Sequence, residues 1–230
     1  MESSLLKMNH CPKSNEEEDY KSDPKSLTYK EIISTLPRRK GYNWVAYLYQ
    51  YKGFWYGPYH LDGILSTQDH FKSQPNEVII SSVPKSGTTW LKSLNFAIMT
   101  RSCYNESTSP LLTQQSHDLL PFFELEILSN PPNFNVDIPL VATHIPYTSL
   151  PKSIMNSSCK IVYICRDPKD VFDSLWHYSC KVSHKDAEPS IMEDLDLGKG
   201  FEFLCEGESV CGPYWDHVLG YWRANLESPK

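Results

Sequence analysis

The run Pro84-Lys85-Ser86-Gly87-Thr88-Thr89-Trp90 contains the residue types and the spacing needed to hold an anion. Lys85 offers a positive charge, and the hydroxyls of Thr88 and Thr89 can donate hydrogen bonds. Gly87 allows the backbone to approach a ligand closely. Because a helical pattern follows, the unpaired N–H groups and the dipole of that helix would add positive potential at the same place. The run therefore predicts an anion-binding loop.

This loop differs from the Walker A motif of P-loop kinases, G-x-x-x-x-G-K-[ST], in which the lysine follows the glycine. Here Lys85 precedes Gly87, and no obvious magnesium-binding carboxylate follows a strand. A P-loop kinase is therefore disfavoured. A plain strand-to-helix turn, capped by Ser86 or Thr88, is the alternative to an anion site.

His144 directly follows a predicted strand over residues 139–143 and could act as a general base. A neutral imidazole can remove the proton of a hydroxyl group, and the pKa of histidine suits this task near neutrality. The sequence holds 8 histidines, so a single one is more often an ordinary polar residue. Its place at a strand end favours His144, with His177 and His217 as weaker candidates.

Arg166 also follows a predicted strand, which covers residues 161–165. Its guanidinium group can make two charge-assisted hydrogen bonds to the oxygens of one phosphate. Parallel sheets usually place ligands at such strand ends. An ion pair with Asp167 or Asp170 is the alternative role for Arg166.

Strand-like runs alternate with helical patterns from residue 77 onward. Strands are predicted over residues 78–83, 139–143 and 161–165, and helices over 88–101 and 168–180, the last with Asp167 as its N-cap. This order predicts an α/β fold, a mostly parallel sheet flanked by helices. The apolar helix faces are predicted to comprise Leu91, Leu94 and Ile98 on the first helix, and Val171, Phe172, Leu175 and Trp176 on the second.

The chain is predicted to divide into a polar, partly disordered N-terminal arm, residues 1–40, and one domain, residues 41–230. The many aromatic residues between 41 and 59 form either a core layer, which is favoured, or the lining of an apolar pocket. Residues 105–135 are rich in Ser, Pro and Asn and are expected to wrap the surface, apart from a short helix at 119–128.

Composition narrows the class of protein. The formal net charge of -6 argues against a nucleic-acid binder, which would need a basic face. No secretory signal and no apolar stretch of the roughly 20 residues that span a membrane can be recognised. The 7 cysteines are scattered without a C-x-x-C pair, so neither a zinc site nor a disulfide framework is suggested. A cytoplasmic protein with free thiols is expected.

Four segments together resemble the cytosolic sulfotransferases, and the plant members in particular. Residues 84–90 resemble the 5'-phosphosulfate-binding loop of that family, and residues 142–146 its catalytic-histidine segment. Residues 165–178 resemble its 3'-phosphate segment, and residues 212–218 a stretch common in the plant members. The matches occur in the order of the family, within residues 53–226, which chance would rarely supply.

The resemblance implies a role for each matching residue. The group implied to hold the 5'-phosphate and sulfate of the co-substrate 3'-phosphoadenylyl sulfate (PAPS) comprises Lys85, Ser86, Gly87, Thr88 and Thr89. Trp90 would stack on the adenine, although a helical core residue is the alternative. Arg166 and Ser174 would bind the 3'-phosphate, unless Ser174 only bonds back to a helix carbonyl. His144 would be the general base, and Lys85 would stabilise the leaving group.

The implied activity is transfer of the sulfuryl group of PAPS to a hydroxyl of a small hydrophobic acceptor, without a metal. From charge and hydropathy, no nucleic-acid or membrane partner is expected. The implied fold is the P-loop-NTPase-like sulfotransferase fold, incomplete at its C-terminus. Family members continue beyond the position of Lys230 with segments that complete the nucleotide site. The alternative expectation is therefore a catalytically inactive, truncated member that binds nucleotide weakly or associates with intact relatives.

Overall fold

The computed structural model describes residues 24–41, 45–120, 122–126, 138–186 and 196–228. These residues form two small sheets and a set of helices, together with two short 3-10 helices. The strands are β1 Arg38–Lys40, β2 Tyr47–Tyr51, β3 Phe54–Tyr56, β4 Val78–Ser82, β5 Leu140–Thr143 and β6 Lys160–Ile164. The helices are α1 Pro24–Thr35, α2 Pro58–His70, α3 Thr88–Met99, α4 Ser116–Leu119, α5 Phe123–Glu126, α6 Lys152–Met155, α7 Pro168–Asp186, α8 Leu197–Cys205 and α9 Tyr214–Glu227.

The parallel sheet has the strand order β5-β4-β6, so β4 lies in the middle. Its register pairs Ser81 with Thr143 and Ser82 with Ile164. The three strands predicted from the sequence are confirmed, as is the parallel sheet flanked by helices. Ile79 and Ile80 point to opposite faces of β4, and both are wholly buried because helices cover the two faces.

The aromatic region before residue 60 forms the antiparallel sheet β1-β2-β3. Phe54, Trp55 and Tyr56 on β3 are buried and join the main hydrophobic core. Tyr47 on β2 is 46% exposed. The favoured prediction of a core layer is therefore confirmed for β3, while Trp44 lies outside the described residues.

Residues 24–40, which the sequence assigned to the N-terminal arm, form α1 and β1. Tyr29 and Ile33 on α1 are buried in the main core, since they lie one helical turn apart on the same face. Residues 1–23 lie outside the described part of the chain.

The buried face of α3 differs from the predicted one. Leu91 is buried as expected, but Leu94 and Ile98 are 39% and 49% exposed. Lys92 and Phe96 take their place in the interior. The prediction was wrong because it excluded a charged residue from the buried face, whereas the Lys92 ammonium group finds acceptors inside the protein.

Helix α7 begins where the sequence predicted. The Lys169 N–H donates to Asp167 Oδ1 at 2.9 Å, which satisfies one free donor of the first turn. The helix continues beyond the predicted end at Cys180 as far as Asp186. Trp176 is only half-buried. The other members of the predicted face are all buried, namely Val171, Phe172 and Leu175.

The segment before β5 passes through the interior, although the sequence predicted a surface segment with a single helix. It forms α4 and α5. The side chains buried in this segment are Leu120 and Phe122, between the two helices, and Phe123, at the start of α5. Gly63 on α2 permits this packing, because a Cβ atom at that position would lie 1.7 Å from the Glu124 carbonyl oxygen. Residues 127–137 lie outside the described part.

Candidate active site

Three chain segments with chemically useful residues meet at one edge of the parallel sheet. The loop 83–87 follows β4, His144 follows β5, and Arg166 comes shortly after β6. Since the three strands are parallel and in register, their carboxyl ends lie side by side. The structure thus brings together the loop, the histidine and the arginine that the sequence singled out.

The loop after β4 presents free donors. Lys85 and Gly87 have positive φ angles of 69° and 106°, which turn the chain sharply into α3. Gly87 is the N-cap residue and no side chain caps the helix, so the first N–H groups remain available to an anion. Neither Ser86 nor Thr88 therefore caps the helix, which was the alternative to an anion site. The Ser86 Oγ is buried and has no hydrogen-bond partner in the described part of the chain.

Lys85 is half-buried at the open side of this loop. Its Nζ lies 4.3 Å from the centroid of the Tyr178 ring on α7. Burial, and secondarily the charge of Lys181, lower the pKa of Lys85. The ammonium group is thus held between the loop and α7.

Trp90 lies on the first turn of α3 and its side chain is 66% exposed. This exposure removes the alternative of a helical core residue. An exposed indole next to a polar loop offers a flat apolar surface for a planar ligand.

The imidazole of His144 is fixed by a backbone acceptor. Its Nδ1 lies 2.7 Å from the carbonyl oxygen of Ser82, at the end of β4. Because a carbonyl can only accept, Nδ1 carries the proton and Nε2 presents a lone pair. Burial lowers the pKa of His144 to about 3, so the ring is neutral near pH 7. The Phe122 ring stacks on it with a centroid distance of 4.5 Å.

Glu124 on α5 supports the backbone of this histidine. Its Oε1 accepts a hydrogen bond from the His144 N–H at 2.7 Å. Burial raises the pKa of Glu124 to about 7, and the hydrogen bond from His144 partly opposes this rise. Glu124 was not predicted from the sequence, since nothing in its local pattern showed that α5 would enter the core.

The two rival histidines occupy different environments. His217 on α9 is wholly buried, and its Nε2 donates to the His144 carbonyl at 3.1 Å while its Nδ1 accepts from the Tyr163 hydroxyl at 2.9 Å. Both of its ring nitrogens are thus occupied. His177 is exposed on α7 and lies 3.5 Å from Asp173. His144 is the one of the three whose Nε2 lies at the edge of the sheet without a protein partner among the described residues.

Arg166 and Ser174 stand beside the loop on the α7 side. The Arg166 Nε lies 3.3 Å from Asp170 Oδ2, which is the ion pair considered from the sequence. This pair is exposed, so it holds the arginine only weakly. The Tyr214 hydroxyl donates to the Arg166 carbonyl. Ser174 is half-buried and makes no bond back to a helix carbonyl in the described chain, unlike Ser179, which donates to the Leu175 carbonyl at 2.7 Å.

A second set of polar contacts lies beneath Thr89. The Thr89 Oγ1 lies 2.9 Å from His117 Nε2, and the Lys92 Nζ lies 3.1 Å from His117 Nδ1. The Lys92 Nζ also donates to the Leu120 carbonyl at 2.8 Å. These contacts were not predicted. The signal in the sequence was the position of Lys92, one turn after the loop and on the same helical face as Thr88 and Phe96.

A family model for the sulfotransferase domain matches residues 75–230. The chain belongs to the sulfotransferase family. The match includes the loop, His144 and Arg166. The predicted resemblance to this family is confirmed. Among the residues that the structure describes, no group of three or more histidines, cysteines or carboxylates could hold a metal ion. No described helix has both the length and the apolar character to cross a bilayer.

Named sulfotransferases from plants and animals are similar to this chain. Cytosolic sulfotransferase 16 of Arabidopsis thaliana is 42% identical over 207 residues, which cover 87% of this chain and 59% of that protein. The crystal structure of an Arabidopsis thaliana putative steroid sulphotransferase is 41% identical with a TM-score of 0.74, covering 90% of this chain and 71% of that one. The crystal structure of a mouse sulfotransferase complexed with PAP is 25% identical to this chain, with a TM-score of 0.53. The match covers 78% of this chain and 59% of that one. The chain thus spans about three fifths of the length of cytosolic sulfotransferase 16.

Proposed function

We propose that this sulfotransferase-family protein transfers the sulfuryl group of PAPS to a hydroxyl of a small hydrophobic acceptor. The observation that carries the proposal is the bond between His144 Nδ1 and the Ser82 carbonyl, 2.7 Å long. It holds a neutral base, with its Nε2 lone pair free, at the strand that leads directly into the anion loop. A base beside an anion site is the arrangement that group transfer from an anionic donor requires.

The donor site is proposed to use the loop and its neighbours. The free N–H groups at the start of α3, the buried Ser86 hydroxyl and Lys85 would hold the 5'-phosphosulfate. Gly87, Thr88 and Thr89 would complete this cradle, and the exposed Trp90 would stack on the adenine. Arg166 and Ser174 would bind the 3'-phosphate after the exposed ion pair between Arg166 and Asp170 breaks.

In the proposed reaction the His144 Nε2 takes the proton of the acceptor hydroxyl while its oxygen forms a bond to sulfur. The bond between sulfur and the bridging oxygen breaks, and its electron pair stays on the 5'-phosphate oxygen of the product PAP, 3',5'-adenosine bisphosphate. The Lys85 ammonium group stabilises the charge that develops there. In-line positioning of the two oxygens accounts for most of the remaining rate enhancement, as in phosphoryl transfer.

The acceptor and the cellular location are part of the proposal. A steroid-like acceptor is supported by the similar Arabidopsis thaliana structure, which is described as a putative steroid sulphotransferase. A cytosolic location is supported by the name of cytosolic sulfotransferase 16. Steroid acceptors are therefore the first to test, with flavonol and hydroxy-acid acceptors for comparison.

A second candidate function is nucleotide binding without catalysis. The ion pair of Arg166 with Asp170 favours weak nucleotide binding, because the 3'-phosphate must displace the Asp170 carboxylate before it contacts the arginine. In that case the protein would bind PAP weakly and transfer no sulfuryl group, or would associate with intact relatives.

The test is transfer of labelled sulfate from PAPS to the three acceptor classes by folded wild-type protein. His144→Ala is expected to lower kcat by about 10²–10⁴-fold, since it removes the base. Lys85→Ala is expected to lower kcat and to weaken PAP binding. His177→Ala is the matched control, because this histidine is exposed on α7 and should leave kcat unchanged.

No turnover by folded wild-type protein would contradict the proposed transfer reaction. Calorimetric titration with PAP then decides the second candidate, which requires binding that Lys85→Ala and Arg166→Ala both weaken. Equal kcat values for His144→Ala and His177→Ala would contradict the assignment of the base.

A further inference from the structure

The contacts of His117 fix which of its ring nitrogens carries a proton. The Lys92 ammonium group lies 3.1 Å from Nδ1 and can only donate, so Nδ1 is the acceptor. Nε2 therefore carries the hydrogen of the neutral ring and donates to the Thr89 hydroxyl oxygen at 2.9 Å. The direction of both hydrogen bonds follows from the chemistry of lysine.

Lys92 itself is held firmly in the interior. Its side chain has no exposed surface, and its Nζ donates to the Leu120 carbonyl at 2.8 Å. The same nitrogen lies 3.3 Å from the centroid of the Phe122 ring. Burial and the nearby Lys92 charge lower the pKa of His117 to about 4, so this ring is neutral near pH 7.

The bond from His117 determines where the hydroxyl proton of Thr89 can point. A threonine hydroxyl has one hydrogen and two lone pairs. In a helix it often donates to the carbonyl four residues earlier, which here belongs to Lys85, but the described structure contains no such bond. With one lone pair occupied by His117 beneath it, the hydroxyl retains its hydrogen for an acceptor at the exposed side, where the loop opens.

We propose that His117 is a positioning residue which, held by Lys92, turns the Thr89 hydroxyl proton toward the anion in the loop. This inference rests on the proposed function, because it assigns the anion to the 5'-phosphosulfate end of the donor. The ligand chemistry it specifies is a terminal anionic oxygen that accepts from Thr89. His117 touches no reacting atom and acts only through the threonine.

The experiment measures the Kd of PAP by calorimetry for the full chain and for a double-mutant cycle of His117→Leu and Thr89→Val. His117→Leu is expected to weaken PAP binding about tenfold, the loss of one well-aligned hydrogen bond to a charged group. In the Thr89→Val background the same change should have no further effect, since the hydroxyl is already absent. His117→Gln keeps an acceptor for Lys92 and a donor for Thr89, so it should restore most of the affinity.

Adenosine 3'-phosphate is the matched control ligand, because it lacks the 5'-phosphate. Its Kd should change by less than about twofold on His117→Leu, whereas a merely structural role would weaken both ligands alike. If His117→Leu does not fold, Lys92→Met takes its place in the cycle. This change leaves Nδ1 of His117 without its donor. It should weaken PAP binding where Thr89 is present and have no effect in the Thr89→Val background.

Two groups of results overturn the inference in distinguishable ways. Additive losses in the cycle, or equal losses for both ligands, would overturn the positioning role alone if Lys85→Ala still weakens PAP binding. Absence of PAP binding by wild-type protein, or binding that Lys85→Ala does not weaken, would overturn the donor site and this inference with it.

Discussion

The chemistry of His144 depends on groups that are not adjacent to it in sequence. The Ser82 carbonyl fixes its protonated nitrogen, the Glu124 carboxyl group holds its N–H, and His217 donates to its carbonyl. A histidine with such support needs no movement to present Nε2 to an acceptor. The reactivity proposed for His144 thus depends on the surrounding fold as much as on the residue itself.

The low pKa of His144 predicts the pH dependence of the reaction. The ordinary pKa of histidine is 6.5, and burial lowers that of His144 to about 3. Because the base form persists below pH 6.5, the acid limb of the kcat/KM profile should lie well below that value. Initial rates between pH 4.5 and 8 test this: no acid limb from His144 is expected in that range, and one centred at 6.5 would contradict this environment for His144.

Local patterns were sufficient for part of the site. The loop 84–90, His144 and Arg166 each follow an apolar strand directly, so periodicity and residue type located them. Glu124 and His117 were missed because they act through contacts with residues about 20 to 28 positions away, which only the packing of α4 and α5 creates. No short-range signal marks such contacts.

At the scale of elements, the close approach of α2 and α5 is what brings Glu124 to His144. Gly63 makes this approach possible, since a Cβ atom there would lie 1.7 Å from the Glu124 carbonyl oxygen. A helix that contacts another backbone so closely cannot carry a larger residue at that position without moving.

Gly63→Ala is therefore expected to lower the free energy of unfolding by about 2–3 kcal/mol, because backbone must shift. Gly220→Ala on α9 is the matched control, since the nearest atom to its Cβ would be the Tyr147 Cβ at 3.7 Å. That change should be neutral or stabilise by about 0.5–1 kcal/mol through helix propensity. Urea unfolding of both variants measures the difference, and equal effects would contradict the described packing of α2 on α5.

The strands and α7 could be predicted from the sequence because their apolar patterns are local. The buried face of α3 could not, since Lys92 replaces an apolar residue there and its acceptors come from the segment around α4. The position of that segment depends on long-range packing, which polar composition alone does not reveal.

At the scale of the whole molecule, Glu124 couples protonation to stability. Its ordinary pKa is 4.5 and burial raises the folded-state value to about 7. Between these values the folded protein binds a proton that the unfolded chain has released, so the contribution of Glu124 to stability falls as the pH rises from 4.5 to 7. Above pH 7 the loss is complete and constant.

Glu124→Gln keeps an acceptor for the His144 N–H and removes this titration. The stability of the variant relative to wild type should rise from pH 4.5 to 7 by on the order of 3 kcal/mol and then level off. Histidines whose pKa values are lowered by desolvation destabilise both proteins below pH 6.5, so their contributions cancel in the difference; they are His60, His117, His144 and His217. Denaturant unfolding at several pH values measures the difference, and a constant difference would contradict a buried, protonated Glu124.

The candidate site joins residues from three strand ends that lie far apart along the chain, near positions 85, 144 and 166. An unfolded chain therefore contains no partial version of it, and a ligand at this edge binds only the assembled sheet. Binding and folding are thus thermodynamically linked: a ligand at a hundred times its Kd adds about 2.7 kcal/mol to the stability of the native state. Because the parallel register places the three strand ends together, the proposed nucleotide would stabilise the folded domain by binding there.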